Sequence, residues 1–246
     1  MKSADRMASR TKRAVQQASD VGAETKGSRT RALIMSTIEE LLIEKGQRFV
    51  LDDICARTGQ TVGAFYFHFK SKEEAIEEIV IERLRSAHGA ALDATKDKGL
   101  YESIFAIIWM RVTGQETSKE LFHLPYRVIP TSVRVYNEWL TVRDAVVEKI
   151  AQAIARERRG AAARATGPDY LASQFLMAGL EGFMENAFYG SHPQMAKIDL
   201  RPVPLSRELA GIWYCAVIGR APADSVVTAT VDSFQNRDGQ ATSAKR

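Results

Sequence analysis

Four side chains in the first third of the chain carry hydrogen-bond donors that phosphate oxygens accept. The hydroxyl, imidazole and ammonium groups belong to Tyr66, His68, Lys70 and Lys72. A helix that is packed only for stability rarely needs such donors. Gly63 and Ala64 come just before them, and these small residues allow a backbone to approach base edges in a DNA major groove. The run therefore indicates a surface that contacts DNA.

The segment that positions these donors has the pattern of two short helices joined by a tight turn. Helical spacing places three residues on one face of the first helix, namely Ile54, Cys55 and Thr58. Gly59 permits the chain to reverse direction. Thr61 then serves as an N-cap, because its hydroxyl can accept a backbone N–H, and a second helix is predicted over Val62 to Phe69.

Residues 59–72, GQTVGAFYFHFKSK, resemble the recognition segment of the TetR family of bacterial transcriptional regulators. The family pattern is roughly Gly, a hydrophobic residue, Ser or Thr, any residue, Gly, a small residue, an apolar residue, Tyr, any residue, His or Tyr, Phe, two further positions and Lys. Thirteen of these fourteen positions fit by residue type, and the similarity spans about residues 29 to 85. Gln60 departs where the pattern buries an aliphatic side chain. Val50 departs where a Thr commonly caps the preceding helix and touches phosphate.

The resemblance implies a homodimer that binds double-stranded DNA at a palindromic operator and represses transcription until a small molecule binds its C-terminal domain. We expect phosphate contacts from Thr61, Tyr66, His68 and Lys72, and the closest approach to the bases from Val62, Gly63, Ala64 and Phe67. The alternative is an architectural or activator protein of the same fold that binds DNA without a small-molecule effector.

The charge of the chain is concentrated in the same region. The 246 residues carry a net charge of +4, and residues 1–72 alone carry +5, with 13 Lys and Arg against 8 Asp and Glu. Phosphate binding requires such a local excess, whereas a charge that serves only solubility is more often spread over the whole surface.

Other classes of protein are disfavoured. No unbroken apolar run exceeds seven residues, the length of Ile104 to Met110, which is far fewer than the roughly 20 of a membrane helix. Cys55 and Cys215 lie 160 residues apart, which favours neither a disulfide nor a zinc site and fits a cytoplasmic location. The four histidines are dispersed, and an acidic pair at Glu181 and Glu185 is the one arrangement that suggests acid–base chemistry. We therefore predict no enzymatic activity, no cofactor and no metal site.

Helical periodicity predicts an all-α fold in four parts. Residues 1–27 form a disordered basic arm, 28–72 a three-helix DNA-binding domain with the helix-turn-helix, 73–220 a larger helical effector-binding and dimerisation domain, and 221–246 a disordered tail. Ser71 and Glu74 make a capping box that starts a long helix to about Ala94, joining the two domains. The arm, which contains Lys2, Arg6, Arg10, Lys12 and Arg13, is either a solvated tail or a DNA-tracking segment.

Two features of the larger domain suggest partners. The helices predicted over 168–190 and 205–219 are apolar on more than one face, so they are either central in the monomer or form a four-helix dimer interface, as in the family that the chain resembles. Large side chains interleaved with polar ones suggest an effector site for an apolar or amphipathic molecule, or else an ordinary core. The candidate lining residues are Trp109, Phe122, Tyr126, Trp139, Phe175 and Phe183.

Overall fold

A computed structural model describes residues 26–117, 119–190 and 192–243, and this part of the chain is helical with no strand. It contains ten α-helices: α1 (Lys26–Lys45), α2 (Leu51–Thr58), α3 (Val62–His68), α4 (Lys72–Ala94), α5 (Leu100–Thr117), α6 (Lys119–Val128), α7 (Val133–Arg159), α8 (Gly167–Phe188), α9 (Pro202–Ile218) and α10 (Asp224–Ser243). The predicted all-α fold is confirmed. The basic arm predicted over residues 1–27 lies outside the described residues, except for the start of α1.

The chain divides into two compact units, the first ending at Ala75 and the second starting at Ile76. The first unit contains α1, α2, α3 and the beginning of α4. Its core is apolar and consists of fully buried side chains, among them Ile34, Ile38, Leu41, Phe49, Ile54, Phe65 and Phe69. Burial of each such side chain contributes about 1.5–3 kcal/mol, so this small unit depends on all three short helices packing together.

Ion pairs join α1 to α2 on the surface of the first unit. Asp53 accepts a hydrogen bond from Lys45 Nζ at 2.7 Å and another from the Val50 backbone N–H at 2.9 Å. The second bond caps α2 at its start, where the Val50 side chain has no acceptor of its own. Arg57 in the last turn of α2 pairs with both carboxylate oxygens of Glu44.

The second unit is a helical bundle built around α5. Residues 104–108, the first five of the apolar run Ile104 to Met110, are all buried, since α5 packs against α7, α8, α9 and α10. Side chains from these neighbours complete the core, for example Ile150, Leu180, Leu205, Tyr214 and Phe234. Within the described residues no helix has the combination of length and apolar character that crossing a bilayer requires.

The prediction of a disordered tail over residues 221–246 is wrong for Asp224–Ser243, which form α10. This helix is mostly polar, but Phe234 is buried, and its ring centroid lies 5.0 Å from those of Phe105 and Trp109. Lys98 Nζ lies 4.9 Å from the same ring. The buried Phe234, together with the buried Thr230, packs α10 against α5.

A buried carboxylate fixes the turn between α7 and α8. Asp169 is completely buried and accepts hydrogen bonds from Arg159 Nη2 at 2.5 Å, from Arg158 Nη1 at 3.1 Å, and from the backbone N–H and the hydroxyl of Thr166 at 2.9 Å each. These donors, above all Arg159, hold the pKa of the Asp169 carboxyl far below its usual range.

Candidate nucleic-acid interface and ligand cavity

The turn between α2 and α3 has the geometry that the sequence predicts. Gly59 adopts a left-handed conformation with φ of 64°, and its N–H donates to the Cys55 carbonyl at 3.0 Å. Thr61 Oγ1 accepts a hydrogen bond from the Ala64 N–H at 3.1 Å, which confirms Thr61 as the N-cap of α3. Gln60, which stands where the family pattern has an aliphatic residue, is half-buried, and its backbone N–H donates to Thr58 Oγ1 at 3.2 Å.

Helix α3 packs on one side only. Phe65 is buried, with its ring centroid 5.5 Å from that of Phe69, whereas Val62, Tyr66 and Phe67 are exposed, Phe67 by 81%. Gly63 is also exposed, and Ala64 and His68 are half-buried. The outer face of α3 therefore presents a phenol hydroxyl, an aromatic ring and small apolar groups to a partner surface.

Lys72 has a structural role in addition to the phosphate contact that the sequence predicts. Its Nζ donates to the carbonyl oxygens of Gln47 and Phe49 at 3.0 Å each and lies 5.0 Å from the Phe49 ring centroid. An ammonium group has three donors, so one remains for a phosphate. Thr61 likewise combines two roles, because its Oγ1 accepts the hydrogen bond that caps α3, and its O–H can still donate to a phosphate.

The capping box predicted at the start of α4 is present in a modified form. Ser71 Oγ accepts a hydrogen bond from the Glu74 N–H at 3.0 Å. The Glu74 carboxylate accepts from the backbone N–H of Lys70. Two backbone donors are thereby satisfied where α4 begins, and the position of Lys72 in the first turn is fixed.

A cavity of about 580 Å³ lies in the second unit, between α4, α5, α6, α7 and α8. Flat aromatic side chains form much of its wall, namely Phe122, Tyr126 and Trp139. Polar groups interrupt this wall at His88, Arg111, Glu181 and Glu185. A mostly apolar hollow of several hundred Å³ with a few polar groups is the usual form of a small-molecule site.

A smaller chamber of about 100 Å³ shares part of this wall. Ala87, His88, Arg111 and Phe122 contribute to both spaces, and the remaining residues of the smaller chamber are apolar, among them Ile107, Met110, Val146 and Met177. The two spaces therefore adjoin at Arg111 and Phe122, and the smaller one suits an apolar group.

The electrostatics of the cavity are set by two buried groups. His88 Nδ1 lies 2.7 Å from the Leu84 carbonyl oxygen, so Nδ1 carries the proton, and burial, with Arg111 nearby, lowers the pKa of His88 to about 4. The imidazole is therefore neutral near pH 7. Arg143 Nε donates to Glu181 at 3.2 Å, and its guanidinium lies 5.4 Å from the Trp139 ring centroid.

Residues 34–79 match the family model described as "Bacterial regulatory proteins, tetR family". The match covers the second half of α1, the helix-turn-helix geometry described above, and the beginning of α4. The first unit is therefore similar to the DNA-binding part of TetR-family regulators.

Curated proteins that are similar to this chain include two HTH-type transcriptional regulators of Pseudomonas putida. SrpR is 27% identical over 129 residues, a match that covers 51% of this chain and 59% of SrpR. TtgW is 28% identical over 131 residues, which are 52% of this chain and 95% of TtgW. The chain thus spans less than two thirds of the length of the first of these relatives.

Solved structures share the fold over most of the chain. Salmonella enterica GusR superposes with a TM-score of 0.58 at 18% identity, covering 80% of this chain and 98% of GusR. The TetR-family regulator PfmR from Thermus thermophilus superposes with a TM-score of 0.54 at 19% identity, covering 77% of this chain and 99% of PfmR. At such low identities the likeness establishes the fold alone.

Three of the six residues predicted to bind an effector line the cavity: Phe122, Tyr126 and Trp139. The structure places the other three elsewhere. Trp109 packs on Phe234 of α10, the helix that the sequence did not predict. Phe183 packs against the core of the second unit, and Phe175 is 77% exposed on the outer face of α8.

Arg111 and His88 are cavity residues outside the set that the sequence predicts. Arg111 ends the apolar run of residues 104–110, and a cation at the edge of a fully buried helical segment is a signal that could have identified it. The sequence around His88 does not indicate that this residue lines a cavity, because its position on the wall depends on the packing of α4 against helices that come much later in the sequence.

Gly114 shapes the cavity by leaving room for Phe122. A Cβ added at Gly114 would lie 1.9 Å from Cζ of Phe122, so Gly114→Ala must displace that ring. We expect the free energy of unfolding to fall by about 1–3 kcal/mol, as for overpacking generally. Denaturant titration measures it, with Gly89→Ala as the control, because a Cβ there meets nothing within 4 Å. Equal stabilities of the two variants would contradict the close packing of Phe122 on Gly114.

Proposed function

We propose that this protein binds a palindromic operator as a homodimer, represses transcription there, and is released when a small molecule occupies the cavity of the second unit. The observation that carries the DNA-binding part is α3, a helix of a helix-turn-helix that buries one aromatic residue and leaves Tyr66 and Phe67 exposed. A cytoplasmic location and a role for the N-terminal arm remain predictions.

The chemistry of α3 suggests how it reads DNA. Val62, Ala64 and Phe67 cannot hydrogen-bond to a base, so α3 is suited to thymine methyl groups and to groove shape. Thr61, Tyr66, His68 and Lys72 are the groups that we propose hold the backbone phosphates in place. Gly63 is exposed beside them, and its lack of a side chain allows close approach of the helix to the groove.

Removing phosphate contacts tests this arrangement. Lys72→Ala and Tyr66→Phe are each expected to weaken binding to specific and unrelated DNA by similar factors, since phosphate contacts carry no direct sequence information. Loss of Lys72 should also make the slope of log affinity against log salt shallower by about one unit. Binding isotherms over a salt series measure both effects.

Two controls make the Lys72 result decisive. Lys96→Ala removes the same charge from an exposed position in the second unit and should leave DNA affinity unchanged. Because Lys72 also donates to two carbonyls, the melting temperature of Lys72→Ala is measured, and the binding assays are run well below it. Unchanged affinity of Lys72→Ala at low salt would remove Lys72 from the interface.

The proposal of a homodimer rests on the outer faces of α8 and α9. Leu171 and Phe175 are 72% and 77% exposed one turn apart on α8, and Ile212 on α9 is 60% exposed. Small residues continue these faces, namely Ala178, Gly182, Cys215 and Ala216, all exposed. An apolar face of this kind suits a second copy of the chain, and a palindromic site needs two recognition helices about 34 Å apart.

The proposal that a ligand releases the protein from DNA rests on α4. This helix begins with Lys72 in the first unit and continues through Leu84, Ala87 and His88, which line the cavity. Arg85 donates to both carboxylate oxygens of Glu138 on α7, at 2.7 and 2.8 Å, next to the cavity residue Trp139. A ligand that prefers one position of α4 relative to α7 would act on the helix that leads to the DNA-binding unit.

Reciprocity of coupling tests this part of the proposal. If the bound ligand lowers the affinity for DNA by a given factor, bound DNA must lower the affinity for the ligand by the same factor. Both affinities are measured for a cavity-binding compound, each with and without the other partner at saturation. A protein whose cavity ligands all leave operator affinity unchanged would instead be an architectural or activator protein of the same fold without an effector.

A further inference from the structure

Arg111 is a half-buried cation on the cavity wall. Among the described residues no carboxylate or carbonyl accepts a hydrogen bond from its guanidinium, which has five N–H donors and no acceptor. The residue contributes to the wall of both the large cavity and the smaller chamber. Partial burial of a guanidinium costs free energy when no anion compensates its charge. A ligand that supplies an anionic group offsets this cost.

The two acidic residues on the same wall do not fill this role. Glu181 is engaged by Arg143 on α7, whose side chain is buried and also reaches Gln174. Glu185 is exposed to solvent, so water stabilises its charge. His88 contributes no charge either, since its imidazole is neutral near pH 7. The uncompensated charge at the junction of the two chambers is therefore positive.

We propose that the cavity binds an amphipathic organic anion, with its carboxylate on Arg111 and its aromatic or apolar body between Phe122, Tyr126 and Trp139. The volume of about 580 Å³ accommodates a molecule of two to four rings, and the adjoining chamber of about 100 Å³ accepts a small apolar substituent beside Arg111. This inference rests on the proposed function of the cavity as an effector site and adds the chemical class of the effector.

Three probes with one naphthalene body test the assignment: 2-naphthoate, 2-naphthalenemethanol and 2-naphthylmethylammonium, which are anionic, neutral and cationic at pH 7. Isothermal titration with the full-length protein is expected to give an affinity for naphthoate that is roughly tenfold or more above that for the alcohol, since hydrogen bonds to charged groups are about twice as strong as neutral ones. The ammonium probe should bind most weakly.

Variants on opposite sides of the cavity assign the preference to Arg111. Arg111→Met keeps the length of the side chain and should bring naphthoate and the alcohol to equal affinity, while Arg111→Lys should retain part of the preference. Glu185→Gln is the matched control, which removes a charge from the same wall and should leave naphthoate affinity unchanged or slightly higher. Circular dichroism and melting temperature establish that each variant is folded.

The possible outcomes separate this inference from the proposed function. Equal binding of the three probes, tighter binding of the ammonium probe, no binding of any probe, or a preference that persists in Arg111→Met would each overturn the organic-anion assignment. DNA binding by the same preparation is measured without any probe. A protein that binds DNA specifically but fails the probe series keeps its role as a regulator and loses only the ligand class.

Discussion

Replacing Asp169 by Ala is expected to lower the free energy of unfolding by about 3 kcal/mol. Removing one partner from a buried, hydrogen-bonded ion pair typically costs about 3–5 kcal/mol. The lower end applies here, because Arg158 and Arg159 are partly exposed and water can solvate them once the carboxylate is gone. The Thr166 N–H also loses its acceptor at the start of α8. Denaturant titration at pH 7 measures the loss.

The same carboxylate makes stability depend on acid pH. The pKa of Asp169 in the folded protein is depressed, chiefly by Arg159, so its contribution is fully present above the unfolded pKa of about 3.9. It is lost progressively as the pH falls below that value towards the folded pKa. The difference in stability between wild type and Asp169→Ala should therefore be constant from pH 7 to about pH 5 and shrink at lower pH.

A surface ion pair provides the control for Asp169. Asp199 is bonded to Arg201 at 2.6 Å, and that pair lowers the pKa of Asp199 to about 2, but both side chains are exposed. Exposed pairs contribute little to stability, so Asp199→Ala should behave almost as wild type at every pH. Similar losses for the two substitutions, or a loss at Asp169 that is unaffected by acid, would contradict the buried ion pair as the cause.

The helix-turn-helix could be predicted from sequence because its determinants are local. The left-handed turn needs a glycine at position 59, the cap needs a hydroxyl at position 61, and one buried aromatic at position 65 defines the inner face of α3. Each of these requirements is met within seven residues. Lys72 is different, since its bonds to Gln47 and Phe49 join residues more than twenty positions apart, which no local pattern reveals.

The cavity could be predicted only in part, for a related reason. Aromatic residues in the second unit are obvious in the sequence, but the ones that line a hollow are selected by packing between distant helices. Trp109 packs against Phe234, 125 positions later in a segment whose polar composition suggests disorder. The concentration of large side chains in this domain predicts Phe175 in the cavity, but Phe175 lies on the exposed side of α8.

Adding bulk to the outer face of α8 should convert the proposed homodimer to a monomer. A Cβ at Gly182 meets nothing within 4 Å in the protomer, so the leucine of Gly182→Leu extends into open space there and clashes only with a partner chain. Phe175→Glu places a charge on the same face, where a dry interface would have to desolvate it. Light scattering should give half the wild-type mass for both variants, with unchanged helical content.

Operator affinity should fall with the loss of the dimer. Two linked recognition helices bind a palindrome more tightly than one by a factor on the order of 10²–10⁴, so each variant should lose roughly 100-fold or more on the full site. Binding to a single half-site should change little, because α3 is untouched. Gly89→Leu is the matched control, since that glycine is also exposed on a helix and has open space around it. Variants of Gly182 and Phe175 that remain dimeric would place the interface on other helices and leave the exposed face of α8 to a different partner.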